Sequence, residues 1–134
     1  MTSLVKIEGI GKVYADKMGA AGIKTTEKLL EAGCKAKARE ELAAKTGIPP
    51  KAILEWVNRA DLMRIKGVGE EYSDLLEVAG VDTVVELANR KPENLHPKLV
   101  ETNKEKKVIR QLPGLKQVQA WVEEAKKLPR KVEY

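Results

Sequence analysis

Several things are scarce or missing in this chain of 134 residues, and each absence closes off a class of protein. Phenylalanine is absent, and two tryptophans and three tyrosines are all the aromatics. The core must therefore be filled by leucine, isoleucine, valine and alanine. Cys34 is the only cysteine, which excludes an intramolecular disulfide and points to a reducing compartment. His96 is the only histidine, so the chain lacks the set of imidazole and thiolate ligands that a metal site needs. No apolar run approaches the ~20 residues that span a bilayer. The N-terminus also shows no basic segment followed by an apolar signal core. A cytoplasmic protein without a membrane partner is expected.

Chemistry is equally thin. There is no nucleophile beside a base, no distinctive pair of acids and no nucleotide loop ending in Gly-Lys-Ser/Thr. The chain reads as a non-enzyme that needs no cofactor and no metal. No stretch alternates apolar and polar residues between turn signals, so the expected fold class is all-α.

What the chain does have is charge and repetition. About a third of its residues are charged and they interleave with apolar ones, as in a globular chain. The formal charge is +5, unevenly spread. Residues 1–60 hold 11 Lys/Arg against 7 Asp/Glu, net +4, and residues 61–134 hold 14 against 13, net +1. Such a balance permits an anionic partner without requiring one.

Ile7-Glu8-Gly9-Ile10-Gly11 recurs as Ile65-Lys66-Gly67-Val68-Gly69 at an offset of 58 residues. Tyr14 then aligns with Tyr72, Met18 with Leu76, Gly22 with Gly80, Thr25 with Thr83 and Leu29 with Leu87. The register slips later, where the second copy has a longer loop, and Trp56 matches Trp121 at an offset of 65. The chain is a duplication. It divides into a first unit at 1–60, a second at 61–128 and a loose C-terminal tail at 129–134.

Each copy has its own start and stop signals. Ser3 and Asp61 suit helix starts, with the alternative that the helix carrying Ile53 and Trp56 runs straight on into Asp61–Ile65. Gly22 and Gly80 sit where a left-handed cap belongs. Thr25 and Thr83 open further helices, and Thr83-Val84-Val85-Glu86 has the spacing of a capping box. A fourth helix is expected near Ala36–Lys45 and again near Pro92–Thr102, with Pro92 in the first turn. Ile53, Trp56, Val57 and Ala60 form one helical face, and Val118, Trp121, Val122 and Ala125 form its counterpart.

A Gly-x-Gly turn entering a helix allows positive φ and leaves unpaired N–H groups at the helix start, where an anion can be held. It is equally a way to pack two short helices antiparallel.

The pattern from Ile7 through Met18 and Gly22, and from Ile65 through Leu76 and Gly80, resembles the helix-hairpin-helix motif. The whole chain is similar to the family called domain of unknown function 4332. Ile53-Leu54-Glu55-Trp56-Val57-Asn58-Arg59-Ala60-Asp61-Leu62, running into the second turn, is its most distinctive part. The resemblance implies two tandem helix-hairpin-helix units of about five short helices each, packed as a compact pair. It also implies sequence-nonspecific binding of nucleic acid, DNA above all, through hairpin amides and nearby cations. Carried over, the first hairpin offers Gly9, Ile10, Gly11 and Lys12, with Lys6 and Lys17 adding charge. The second offers Gly67, Val68 and Gly69, with Arg64 and Lys66 before the turn. Here the chain departs from the pattern: Lys12 is replaced by Glu70, followed by Glu71, and two carboxylates oppose an anion. The alternative is a protein-interaction or scaffold module whose hairpins are purely structural.

The remaining candidates read as structure. His96 belongs on a helix surface, Cys34 at a half-buried helix start, and Trp56 and Trp121 in packing. Lys104-Glu105-Lys106-Lys107 and the basic residues Lys126, Lys127, Arg130 and Lys131 are expected to be solvated.

Overall fold

The computed structural model describes residues 3–7 and 9–134, so Glu8 of the first glycine turn lies outside the described residues. Among those described there are eight α-helices and one 3-10 turn, Leu4–Lys6, with no β-strand. A single antiparallel bridge joins Ser3 to Thr25. The helices are α1 (Lys12–Ala20), α2 (Thr26–Gly33), α3 (Ala36–Thr46), α4 (Pro50–Leu62), α5 (Glu70–Val78), α6 (Val84–Ala88), α7 (Pro92–Lys106) and α8 (Leu115–Lys127).

The chain divides into two compact regions, one made of Met1–Asp61 with Lys131–Tyr134 and the other of Leu62–Arg130. The first buries Leu4, Ile7, Ile10, Met18, Leu29, Ile53, Trp56 and Val57. The second buries Leu62, Ile65, Val68, Leu76, Leu87, Leu95, Leu99, Val118, Trp121 and Val122 as one cluster. In it α8 packs on α6 and α7, and α5 packs on α7.

Most helix signals act as their chemistry demands. Thr25 Oγ1 accepts from the Lys28 N–H at 3.2 Å, and Thr83 Oγ1 from the Glu86 N–H at 3.4 Å. The reciprocal half of the capping box is displaced by one residue: Glu86 Oε2 takes the N–H of Asp82, at 2.8 Å, instead of that of Thr83. Gly22 and Gly80 have φ of +87° and +96°, the left-handed region that glycine enters without a steric cost.

Three expectations are corrected. Asp61 does not start a helix; it lies in the last turn of α4, because the apolar face begun at Ile53 continues to Leu62. Ser3 precedes only a 3-10 turn and makes no capping bond. The closing residues are not loose, since Val132 is 2% exposed and the Glu133 N–H donates to Cys34 O at 2.7 Å.

The slip in repeat register has a visible cause. α7 runs on to Lys106, beyond the Thr102 expected, and is followed by a longer loop than the one after α3. Side chains order that loop. Asn103 accepts from the Ile109 N–H at 2.9 Å and donates to Ile109 O at 3.2 Å. His96 Nε2 lies 3.0 Å from Pro113 O, a geometry that puts the proton on Nε2.

Candidate functional site

At the first turn Gly9 has φ +93°, and a Cβ there would come 3.3 Å from Trp56 Nε1. Gly67 has φ +89°, with Trp121 Nε1 at 3.5 Å. Conformation thus selects glycine at both turns, and close approach to the indole adds to it at Gly9. Ile10 and Val68, each 4% exposed, plug the turns into their cores. Their amides are already used: the Ile10 N–H donates to Ile7 O at 3.1 Å and the Val68 N–H to Ile65 O at 3.0 Å. Neither amide is available to hold an anion, contrary to the sequence expectation, because the bond closes the turn itself.

The available donors lie one step later. Helical bonding in α1 begins with the Ala15 N–H to Gly11 O, at 2.9 Å, and Gly11 brings no side-chain cap. The N–H groups of Gly11, Lys12, Val13 and Tyr14 have no partner among the described residues. They form the positive end of the helix. Lys12 is the first residue of α1 and exposed, and Lys6 ends the preceding 3-10 turn, also exposed.

Lys17 is placed differently. It sits in the last turn of α1, about 7.5 Å along the axis from Lys12. Its Nζ lies 5.9 Å from the centroid of the Tyr14 ring. Tyr14 in turn tilts against Trp56, with centroids 5.2 Å apart. Val13 is 67% exposed and Tyr14 38%, so an apolar edge stands beside Lys12. Sequence reasoning passed over Val13, although the equivalent position in the second copy is Glu71, a difference that marks it as outward-facing.

The second turn presents the opposite sign. Glu70 and Glu71 are exposed in the first turn of α5, and an open depression of about 330 Å³ is lined by Gly67, Gly69, Glu70, Glu71 and Tyr72. Ahead of the turn, a further carboxylate takes a main-chain donor: Glu124 Oε1 accepts from the Lys66 N–H at 3.0 Å. Arg64 donates through Nη2 to Pro129 O at 2.9 Å. The guanidinium therefore serves a chain contact. Tyr72 packs on Trp121 at 5.0 Å, as Tyr14 does on Trp56, but its hydroxyl also donates to Gln111 O at 3.3 Å.

Elsewhere in the first region, an open groove of about 450 Å³ is floored by Ala21, Ile23, Ala32, Ala38 and Leu42 and rimmed by Lys28, Glu31, Glu41 and Lys45. Cys34 is half-buried, with Sγ 3.6 Å from Glu31 O. Among the described residues no group of three or more His, Cys, Asp or Glu side chains is placed to hold a metal ion. No helix among them is long and apolar enough to cross a membrane.

Comparison with curated proteins and with solved structures returns no match. The family match covers residues 8–128, from the first glycine turn to the end of the last helix. The chain belongs to the family described as domain of unknown function 4332 (DUF4332).

Proposed function

We propose that this is a non-enzymatic, tandem helix-hairpin-helix protein that binds nucleic acid without sequence preference, using the first glycine turn. The observation that supports this best is the coincidence, at one helix start, of four N–H groups that have no partner among the described residues with the exposed charge of Lys12. A phosphate oxygen there would accept from Gly11, Lys12 and Val13 amides while Lys12 Nζ neutralises its charge. Lys6 and Lys17 add positive potential from the 3-10 turn and the far end of α1. The cytoplasm is the proposed location.

The second turn enters the reading as a folding element. Its helix start is already complemented by the carboxylates of Glu70 and Glu71, so a phosphate would have to approach against them. Gly67, Val68, Gly69, Arg64 and Lys66 are therefore not assigned a share of the binding.

Titrating a labelled duplex and a labelled single strand with the protein at several salt concentrations tests the proposal. Affinity should fall steeply with salt, since phosphate contacts release counterions. Lys12→Glu should weaken binding by about tenfold or more and reduce the slope of log K against log salt by about one. Absence of binding to either substrate at low salt would sink the idea.

The exposure of Val13 and Tyr14 favours a second reading, in which the same surface meets a protein. Val13→Ser, which adds no charge beside Lys12, separates the two. It should leave nucleic-acid affinity within about twofold if phosphates are the ligand, and weaken binding by about tenfold or more if an apolar partner is.

A further inference from the structure

We propose that the turn between α2 and α3 is a peptide-binding site, occupied in this structure by the chain's own Lys131–Tyr134. The site is independent of the glycine turns. Its central group is Arg39, which is 5% exposed and lies on the fourth residue of α3. One arm of the guanidinium, Nη1, donates to Gly33 O at 2.9 Å. The other, Nη2, donates to Glu133 O at 2.7 Å. The N–H of the same Glu133 donates to Cys34 O at 2.7 Å. Both main-chain groups of one residue are thus held together, which is how a docked extended segment is recognised. The side chain before them, Val132, is 2% exposed, while those of Lys131, Glu133 and Tyr134 are exposed.

The site is built for an occupant. A Cβ on Gly33 would lie 2.7 Å from Val57 Cγ2, so glycine lets the end of α2 close against α4, with the Arg39 stem in ordinary contact beside it at 3.7 Å. The fourth residue of α7, the same helical position in the other copy, is Leu95, and it is fully buried with no polar group to satisfy. An arginine in that place is useful only if something supplies acceptors. Gly33 O supplies one and the docked segment the other. Removing the segment strands Nη2 and Cys34 O, two polar groups near the buried end of a helix.

The ligand chemistry follows. The two bonds at Glu133 are to its main chain, and the Val132 side chain is buried, so the site takes an extended peptide of another protein with an aliphatic residue where Val132 sits. The segment forms no part of a helix, so its local release need not unfold the helices.

The test uses a fluorescent peptide with the sequence Pro129–Tyr134 and the full chain carrying Val132→Asp, which disfavours its own segment. The variant should bind the peptide at least about tenfold tighter than the unsubstituted chain, where the tethered segment competes at millimolar effective concentration. The same peptide with Val132→Asp should not bind, and adding Arg39→Leu to the variant chain should abolish binding. A variant that keeps its helical circular dichroism yet ignores the peptide overturns the proposal. Should the variant not fold, hydrogen exchange of the unsubstituted chain decides. The Glu133 amide should be protected but should exchange well before the Leu29 and Ile53 amides. Exchange at the rate of a free peptide, or only together with those core amides, overturns the proposal.

Discussion

At Gly9 and at Gly67 the chain makes the same turn twice, with φ of +93° and +89°, an indole nitrogen close to each glycine, and a buried apolar residue after it. The third residue of the next helix is a tyrosine that leans on that indole in both copies, with ring centroids 5.2 and 5.0 Å apart. What differs is everything that faces water. The first copy shows Lys12, Val13 and a Tyr14 that is 38% exposed; the second shows Glu70, Glu71 and a half-buried Tyr72 whose hydroxyl is tied to Gln111 O. The lesson is that duplication preserves the interior constraint and releases the surface. A positive φ above an indole admits only glycine, whereas the first exposed residues of a helix admit either sign.

The largest effects should come from breaking what the copies share. Trp56→Ala and Trp121→Ala should each cost about 3–5 kcal/mol, because each removes a large buried ring. Urea denaturation of the two variants would measure it, and a cost below about 1 kcal/mol for either would contradict the packing described.

Next come Gly9→Ala and Gly67→Ala, each expected to destabilise by about 1–3 kcal/mol from backbone conformation, with crowding of the indole added at Gly9. The first should be the costlier, since its Cβ would stand 3.3 Å from Trp56 Nε1 against 3.5 Å from Trp121 Nε1 at the second. The same denaturation experiment ranks them.

Exchanging the surfaces sharpens the contrast in function. Glu70→Lys with Glu71→Val rebuilds the first turn's outward residues on the second. If an exposed helix start with a lysine is what holds phosphate, nucleic-acid affinity should rise by about tenfold, roughly 1.4 kcal/mol, at low salt. Unchanged affinity would mean that Lys12 acts only through its place in the first copy.

The smallest effect concerns the caps of α3 and α7. Gly47 ends α3 at φ +76°, but Lys107 ends α7 at φ +50°, the one non-glycine residue in the left-handed region among those described. Lys107→Gly should therefore stabilise the protein by about 0.5–1 kcal/mol, seen as a rise of a few degrees in Tm. Gly47→Ala should do the reverse.

Much of this was legible beforehand because it is local. Thr25 and Thr83 name their helix starts through an oxygen that reaches an amide three residues on. Periodicity found the faces of α4 and α8. At Asp61 local signals left two readings open: aspartate is a good cap in isolation, and the continuing apolar face keeps it inside α4. At the candidate site, the exposed lysine and the two glutamates could be read from the repeat. That the Ile10 and Val68 amides are consumed by the turn could not, since motif spacing does not reveal which N–H closes the bend.

The closing segment separates the two kinds of information most sharply. Its own residues, Lys131-Val132-Glu133-Tyr134, hold too little pattern to predict any place in the fold. Arg39 likewise reads as one more charge on a charged helix. Their meeting spans 94 residues of sequence and depends on Gly33 allowing close packing beside Val57. The sequence by itself determined the helices, the duplication and the two glycine turns, because caps, apolar period and positive φ act within a few residues. Only the tertiary structure decided which amides stay free, which arginines are spent on backbone carbonyls and where the last residues dock, because those outcomes depend on groups brought together from distant parts of the chain.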